Sequence, residues 1–372
     1  MLRQSYRATL IFTVALTIAN ANAETPQMTI DQKPFGKTTD GQEVTKFTMT
    51  NTSGNSVSVM NWGASLLEVS VPDREGNLAN VNLCFDSLSP YLDGHPYFGS
   101  TVGRYCNRIG GARFTIDGKQ HRLTENLGQH HIHGGKQNFT YQFWQGQTID
   151  TDDGPGVRFR LTSPDGQEGY PGTVTATVDY FWNDANELRM VFGAETDAPT
   201  HVSLCNHSYW NLGGAGSGSA LDHVATIEAD QYLDVDTDLI PTGKFNDITG
   251  TPLDFQLATA FGDRIEQLPE TKGYDHCYVV RGEFGQLRLA ARVVDPESGR
   301  VMEVETTQPG MQLYTANHLP GDERSRGYGG HEAFCLETQR FPNSPNVDSF
   351  PSTLLRPGQK FEEVTVHRFG VE

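Results

Sequence analysis

Four short segments of the 372-residue chain carry side chains able to move protons: His131-Ile132-His133-Gly134-Gly135, Asn206-His207-Ser208-Tyr209-Trp210, Gly273-Tyr274-Asp275-His276 and Cys335-Leu336-Glu337-Thr338. Each sets a histidine or a carboxylate among glycines or aromatics. Two histidines and two carboxylates drawn from distant positions, with no phosphate-binding loop and no Cys-x-x-Cys pair, suit general acid/base work on a polar, uncharged substrate.

The neighbours of these residues sharpen that reading. His133 precedes two glycines, which can bring backbone close to a ligand. His207 lies between Asn206 and the aromatic pair Tyr209 and Trp210, whose faces suit a sugar ring. Glu337 follows Phe334-Cys335-Leu336, a spacing that predicts a strand entering the core with its carboxylate partly desolvated, so that burial raises its pKa and strengthens it as a base. A structural Glu337 paired with Arg340 is the alternative, and Asp275 could equally cap a turn after Gly273. Arg108, behind Asn107, can pair with either acid or donate to sugar oxygens. His130, His131 and His133 also admit a metal site, because histidines one residue apart can share a strand face. No further ligand of suitable local spacing accompanies them.

The elements that must hold these residues read as strands. Val157, Phe159 and Leu161 alternate with arginines, Leu287 and Leu289 flank Arg288, and the runs 174–180, 188–192, 301–306 and 364–369 are rich in β-branched, apolar or aromatic residues. Asp117-Gly118, Asp165-Gly166, Asn183-Asp184 and Pro309-Gly310 supply turn chemistry between them. The best helical candidate is short, Thr259 to Ile265. Many strands with 39 glycines and 19 prolines predict an all-β sandwich or barrel, and no linker or composition shift divides it, so residues 24–372 are expected to form one large domain. Gly213 to Gly218 is glycine-rich without a βαβ unit around it, which predicts a mobile surface loop rather than a dinucleotide site.

Residues 1–23 read as a signal peptide: Arg3 and Arg7, the apolar run Ala8 to Ala19, then Ala21-Asn22-Ala23 before Glu24. An uncleaved anchor is the alternative. No later stretch approaches the ~20 apolar residues of a membrane span, so a soluble, exported protein with no membrane association after cleavage is expected. The formal charge of −18, more negative still without Arg3 and Arg7, argues against nucleic acid or an anionic membrane as partner. The five cysteines sit in apolar surroundings and read as buried free thiols, with one disulfide as the alternative.

Taken in order, these segments resemble the aldose 1-epimerase (galactose mutarotase) family. Gly103-Arg104-Tyr105-Cys106-Asn107-Arg108-Ile109, the run from Ser163 to Gly172 and Gln308-Pro309-Gly310-Met311-Gln312-Leu313-Tyr314 carry the resemblance most specifically, and it extends from Asn61-Trp62-Gly63-Ala64 to Leu355-Arg356-Pro357-Gly358. The resemblance implies a β-supersandwich with an open sugar groove and cofactor-independent interconversion of α and β hexose anomers. It implies Glu337 as general base and His207 as general acid, with Asn107, Arg108, His133, Asp275 and Gln308 holding the sugar. Trp210, where the family often has Phe, and Cys106, where a small residue is common, depart from the pattern and bear on sugar preference. A non-catalytic carbohydrate-binding β-sandwich could use the same aromatics, Arg108 and Asp275, but has no need of an acid and a base on one ring.

Overall fold

The computed structural model describes residues 27–372, together with Met1 and Gln4. The signal segment and its cleavage site lie outside the described residues.

Each strand-like run becomes a strand. Gly154–Ser163, Val174–Trp182, Glu187–Thr196, Arg288–Val294, Arg300–Thr306 and Phe361–Val371 contain the alternating segments except Leu287, which lies just before its strand, and they join Gln145–Thr151, Val224–Ile227 and Thr259–Ala260 in one nine-stranded antiparallel sheet. The last strand of the chain does not lie at an edge. Phe361–Val371 pairs with Glu187–Thr196 on one side and Arg300–Thr306 on the other. A five-stranded meander runs from Thr29–Lys37 to Leu78–Asn80, and a second five-stranded sheet is ordered Pro241–Asp247, Ala229–Val235, Asp275–Val280, Gly310–Tyr314, Cys335–Gln339.

One continuous core joins the three sheets. Phe47, Met49 and Val57 of the meander, Phe159, Val178 and Tyr180 of the large sheet, and Tyr278, Met311, Leu313 and Leu336 of the second five-stranded sheet belong to a single buried cluster. Stacked sheets of this size bury their facing rows and leave the alternate residues of each strand free for other work. That alternation is what exposes the site.

Helix is scarce. The expected helix over Thr259 to Ile265 is instead a short strand, Thr259–Ala260, followed by two single 3-10 turns, Phe261–Asp263 and Ile265–Gln267. Its apolar residues are too few to complete a helical face, and the backbone of Ala225 recruits Thr259 to the sheet edge. All five cysteines are buried and unpaired. The glycine-rich loop is tied down by Asn211, which accepts from Gly213 N at 3.0 Å and Ser217 Oγ at 3.2 Å and donates to Gly218 O at 2.9 Å.

Candidate active site

Three neighbouring strands of the second five-stranded sheet place the acidic half of the site. Asp275 lies opposite Tyr314, and Gln312 lies opposite both Cys277 and Glu337. Because side chains alternate, Asp275, Gln312, Tyr314 and Glu337 share one face, whereas Leu313 and Leu336 turn into the core. Glu337 is therefore carried into the interior on an apolar strand and is only 3% exposed. It has no bond to Arg340, which pairs with Glu363.

The basic half comes from shorter elements. His207 ends the strand Cys205–His207, which pairs with Ser100–Val102. Its ring is held between Tyr97 and Tyr209, with centroids 5.5 and 5.1 Å away and interplanar angles of 23° and 24°. Its Nε2 stands 3.6 Å from Glu337 Oε1, adjacent to it but too far for a hydrogen bond. Cys335 Sγ lies 3.8 Å from His207 Nδ1, and the Cys205 thiol donates to Glu337 Oε2 at 3.5 Å.

Asn107 and His133 fix each other. The amide of Asn107 donates to His133 Nδ1 at 3.2 Å, and the amide of His133 donates to Asn107 O at 3.0 Å. With Nδ1 an acceptor, the proton of the neutral ring sits on Nε2, free to donate to a ligand. Burial, aided by His207 and Arg108, holds the His133 pKa well below its usual value and keeps the ring neutral. The following glycine is required: at Gly134, φ is +83° and a Cβ would fall 2.0 Å from Gly103 O. Arg108 pairs with Asp275 Oδ2 at 3.1 Å, while Gln312 donates to Asp275 Oδ1 at 2.6 Å.

These residues surround a cavity of about 280 Å³, lined also by Tyr97, Tyr209, Tyr314, Ile132 and His318. That is close to the lower end of the ~300–1,000 Å³ usual for ligand pockets and gives room for one sugar ring. Larger hollows, about 520 Å³ beside Arg158 and Arg160 and about 830 Å³ beside Asp73 and Asp295, contain none of His133, His207, Asp275 or Glu337.

Six of the seven residues singled out from the sequence thus line one cavity: Asn107, Arg108, His133, His207, Asp275 and Glu337. Gln308 does not. It is fully buried before the strand Gly310–Tyr314 begins, four residues from Gln312, and four strand residues span roughly 13 Å. The glutamine that reaches Asp275 is Gln312, in the same sequence motif. Trp210 is likewise in the core, against His367 and Phe369, and Cys106 Sγ is buried against Gln339 at 2.7 Å. Neither departure from the family pattern lines the cavity. Tyr97 was not signalled by any motif, although Pro96 before it marks a turn and its φ is +62°.

The three consecutive-region histidines diverge. His130 faces Asp238, His131 is held by Thr124 O at 2.7 Å and Tyr170 Oη at 2.8 Å, and His133 enters the cavity. Among the described residues no group of three His, Cys, Asp or Glu side chains is disposed to hold a metal ion.

Burial shifts Glu337 and His207 in opposite directions. Burial pushes Glu337 up to about 8, with Asp275 adding to the rise and the Cys205 thiol and Arg108 opposing it. Burial also brings His207 down to about 4, against the upward pull of its own backbone contact and of Asp275. The neighbouring carboxylates do not keep a proton on His207, because a protonated Glu337 offers no negative charge and Asp275 alone is outweighed by desolvation. Between these values the pair carries one proton, residing on Glu337.

A buried acid and base sharing one proton at the floor of a sugar-sized cavity, on an all-β stack of sheets, define an acid/base-acting carbohydrate protein. The aldose 1-epimerase family profile matches residues 45–368. The chain is 41% identical to the galactose mutarotase of Bos taurus over 318 residues, 85% of this chain and 91% of that one. It is 34% identical to the aldose 1-epimerase of Escherichia coli (strain K12) over 341 residues, 90% of this chain and 97% of that one. The solved galactose 1-epimerase from Lactobacillus acidophilus NCFM superposes with a TM-score of 0.83 at 25% identity, covering 93% of this chain and 99% of that one. The chain belongs to the aldose 1-epimerase family, and its fold is galactose mutarotase-like.

Proposed function

We propose that this protein is an aldose 1-epimerase that interconverts the α and β anomers of free hexoses such as glucose and galactose. The observation that carries the reading is the pair Glu337 and His207, buried 3.6 Å apart beneath a ring-sized cavity. Anomer exchange requires one proton to leave the C1 hydroxyl and one to reach the ring oxygen. The ring then opens to the aldehyde, C1 rotates about the C1–C2 bond, and the reverse transfers close it.

A pair that holds one proton in total contains both functions. Glu337 takes the C1 hydroxyl proton and His207 delivers one to the ring oxygen, once the pair's proton has moved from carboxyl to imidazole. Asp275 favours that charged form of His207, and Arg108 favours that of Glu337. Asn107, Arg108, His133 and Asp275 hold the sugar hydroxyls, with Gln312 and Arg108 keeping the Asp275 carboxylate in place. A binding module has no use for such a pair. Polarimetry of freshly dissolved α-D-glucose and α-D-galactose tests the reading: loss of optical rotation no faster than without protein would reject it.

The protein acts outside the cytoplasm, with cleavage after Ala23 and a mature start at Glu24. The charged start, apolar run and small-residue site support this. Burial of all five thiols suits an oxidising compartment, since it keeps them from exchange. Intact-mass analysis of protein from the exported fraction should give the Glu24 terminus; retention of Met1 would reject it.

A further inference from the structure

We propose that Cys205 and Cys335 are positioning residues for the acid/base pair, each fixing where one proton sits, so that the carboxyl proton of Glu337 faces an open nitrogen of His207. The proposal rests on the reading of Glu337 and His207 as the pair that moves the sugar's protons. It arises from a crossed arrangement of two strands that pack against each other. In Cys205–His207 and again in Cys335–Gln339, a cysteine stands two residues before the proton-handling side chain. Residues two apart on a strand share a face. The residue between them turns away in both cases: Asn206 donates to Gly99 O at 2.7 Å, and Leu336 enters the main core. The two faces meet in opposite directions. Cys205 of one strand therefore reaches Glu337 of the other at 3.5 Å, while Cys335 reaches back to His207 at 3.8 Å.

Both thiols are fully buried and neither lines the cavity, so they act on the sugar only through the pair. Burial also pushes both well above the ordinary thiol value, which keeps them protonated at neutral pH. The Cys205 thiol donates to Glu337 Oε2. An oxygen that accepts in this way is the carbonyl oxygen of a neutral carboxyl, so the carboxyl proton stays on Oε1, the oxygen that faces His207 Nε2.

On the other side, Cys335 Sγ lies against His207 Nδ1. A neutral imidazole carries one proton, and Nε2 can accept the proton of Glu337 only when that one is on Nδ1. Thiol sulfur accepts weakly as well as donating weakly, so Nδ1–H donates to Cys335 Sγ and Nε2 is left open. The two contacts point the pair's proton along one line, from Oε1 to Nε2. The imidazolium then gives its Nε2 proton to the ring oxygen, and the carboxylate takes the C1 hydroxyl proton as the bond from C1 to the ring oxygen breaks. The pair is restored with one proton on Oε1 and one on Nδ1.

The direct test needs no variant of either cysteine: long-range proton–nitrogen correlation NMR on protein labelled at histidine, at a pH midway between about 4 and about 8, where His207 is neutral. The His207 signals are those lost in His207→Asn. Nδ1 should be protonated and Nε2 bare; Cys335→Ala should lose that preference, and Cys335→Ser, which keeps an acceptor, should retain it. Polarimetric kinetics read the other contact, using threonine and valine, which share a shape and differ by a hydroxyl. Cys205→Val should lower kcat by about 3- to 10-fold with KM within about twofold, whereas Cys205→Thr, able to donate to Oε2, should keep kcat within about twofold. A wild-type ring protonated on Nε2, or equal kcat for Cys205→Val and Cys205→Thr, would overturn the proposal. Absence of turnover on glucose and galactose would instead defeat the catalytic reading on which it rests, and the NMR result would still decide where the ring proton sits.

Discussion

At Glu337 the loss of water outweighs every favourable contact, and at His207 the same loss works in the opposite direction. The carboxyl keeps its proton and the imidazole refuses one, so the two together hold one proton from about 4 to about 8. Below that window a second proton removes the base. Above it the last proton is lost and no acid remains. The kcat/KM profile should therefore be bell-shaped, with limbs near those values, whichever atom carries the proton in the reactive form. A flat profile across the window's upper edge, through pH 9, would contradict the shared proton. Glu337→Gln and His207→Asn should each lower kcat by roughly 10²-fold or more, with the fold and sugar affinity largely kept, and the double variant should lose far less than the product. Near-normal polarimetric turnover in either folded variant would remove that residue from the mechanism. The identities of these groups were legible in the sequence because glycines, aromatics and family motifs mark them. The raised pKa of Glu337 was legible too, from the apolar run that precedes it, whereas the lowered pKa of His207 was not, because its ring is enclosed by Tyr97, Tyr209 and Cys335, which come together only in the folded chain.

Among the elements, the period of two along a strand decides which motif residues reach the sugar. In Gly310–Tyr314, Gln312 and Tyr314 face the cavity side and Met311 and Leu313 the core. Motif resemblance alone selected Gln308, whereas register selects Gln312, opposite Glu337 and bonded to Asp275. Replacement by leucine separates them. Gln312→Leu frees one Asp275 oxygen and should raise KM by about 10-fold with a smaller effect on kcat, whereas Gln308→Leu should leave both within about twofold. The reverse pattern in polarimetric kinetics would restore Gln308 to the site. Strand periodicity was legible throughout the large sheet, where alternation is regular and long. It failed at Thr259 to Ile265, where seven residues of mixed polarity are too few to distinguish a sheet edge followed by 3-10 turns from one helical coil.

For the whole molecule, the formal charge of −18 disfavours doubly charged substrates, because the cavity supplies Arg108 but no cluster of cations to offset that field. Glucose 6-phosphate should therefore show a lower kcat/KM than glucose, most clearly at low salt; a higher value would contradict the argument. The sheet order itself could not be read from the sequence, since nothing in a run of alternating residues states which distant strand it joins. Its most consequential feature is the central place of the last strand. Phe361–Val371 completes the ladders of two strands that come from residues 187–196 and 300–306, and Phe361, Val364, Val366 and Phe369 are buried. Burying one such side chain stabilises by about 1.5–3 kcal/mol, so four contribute on the order of 6–12 kcal/mol, comparable with the ~5–15 kcal/mol net stability of a typical domain. Removal of that strand also leaves two interior rows of backbone groups unpaired. A chain ending at Lys360 retains every residue of the cavity, yet it should lack a cooperative thermal transition by circular dichroism and have no mutarotase activity. A chain beginning at Glu24 should keep both. A folded, active protein lacking residues 361–372 would show that the sheet closes without its central strand.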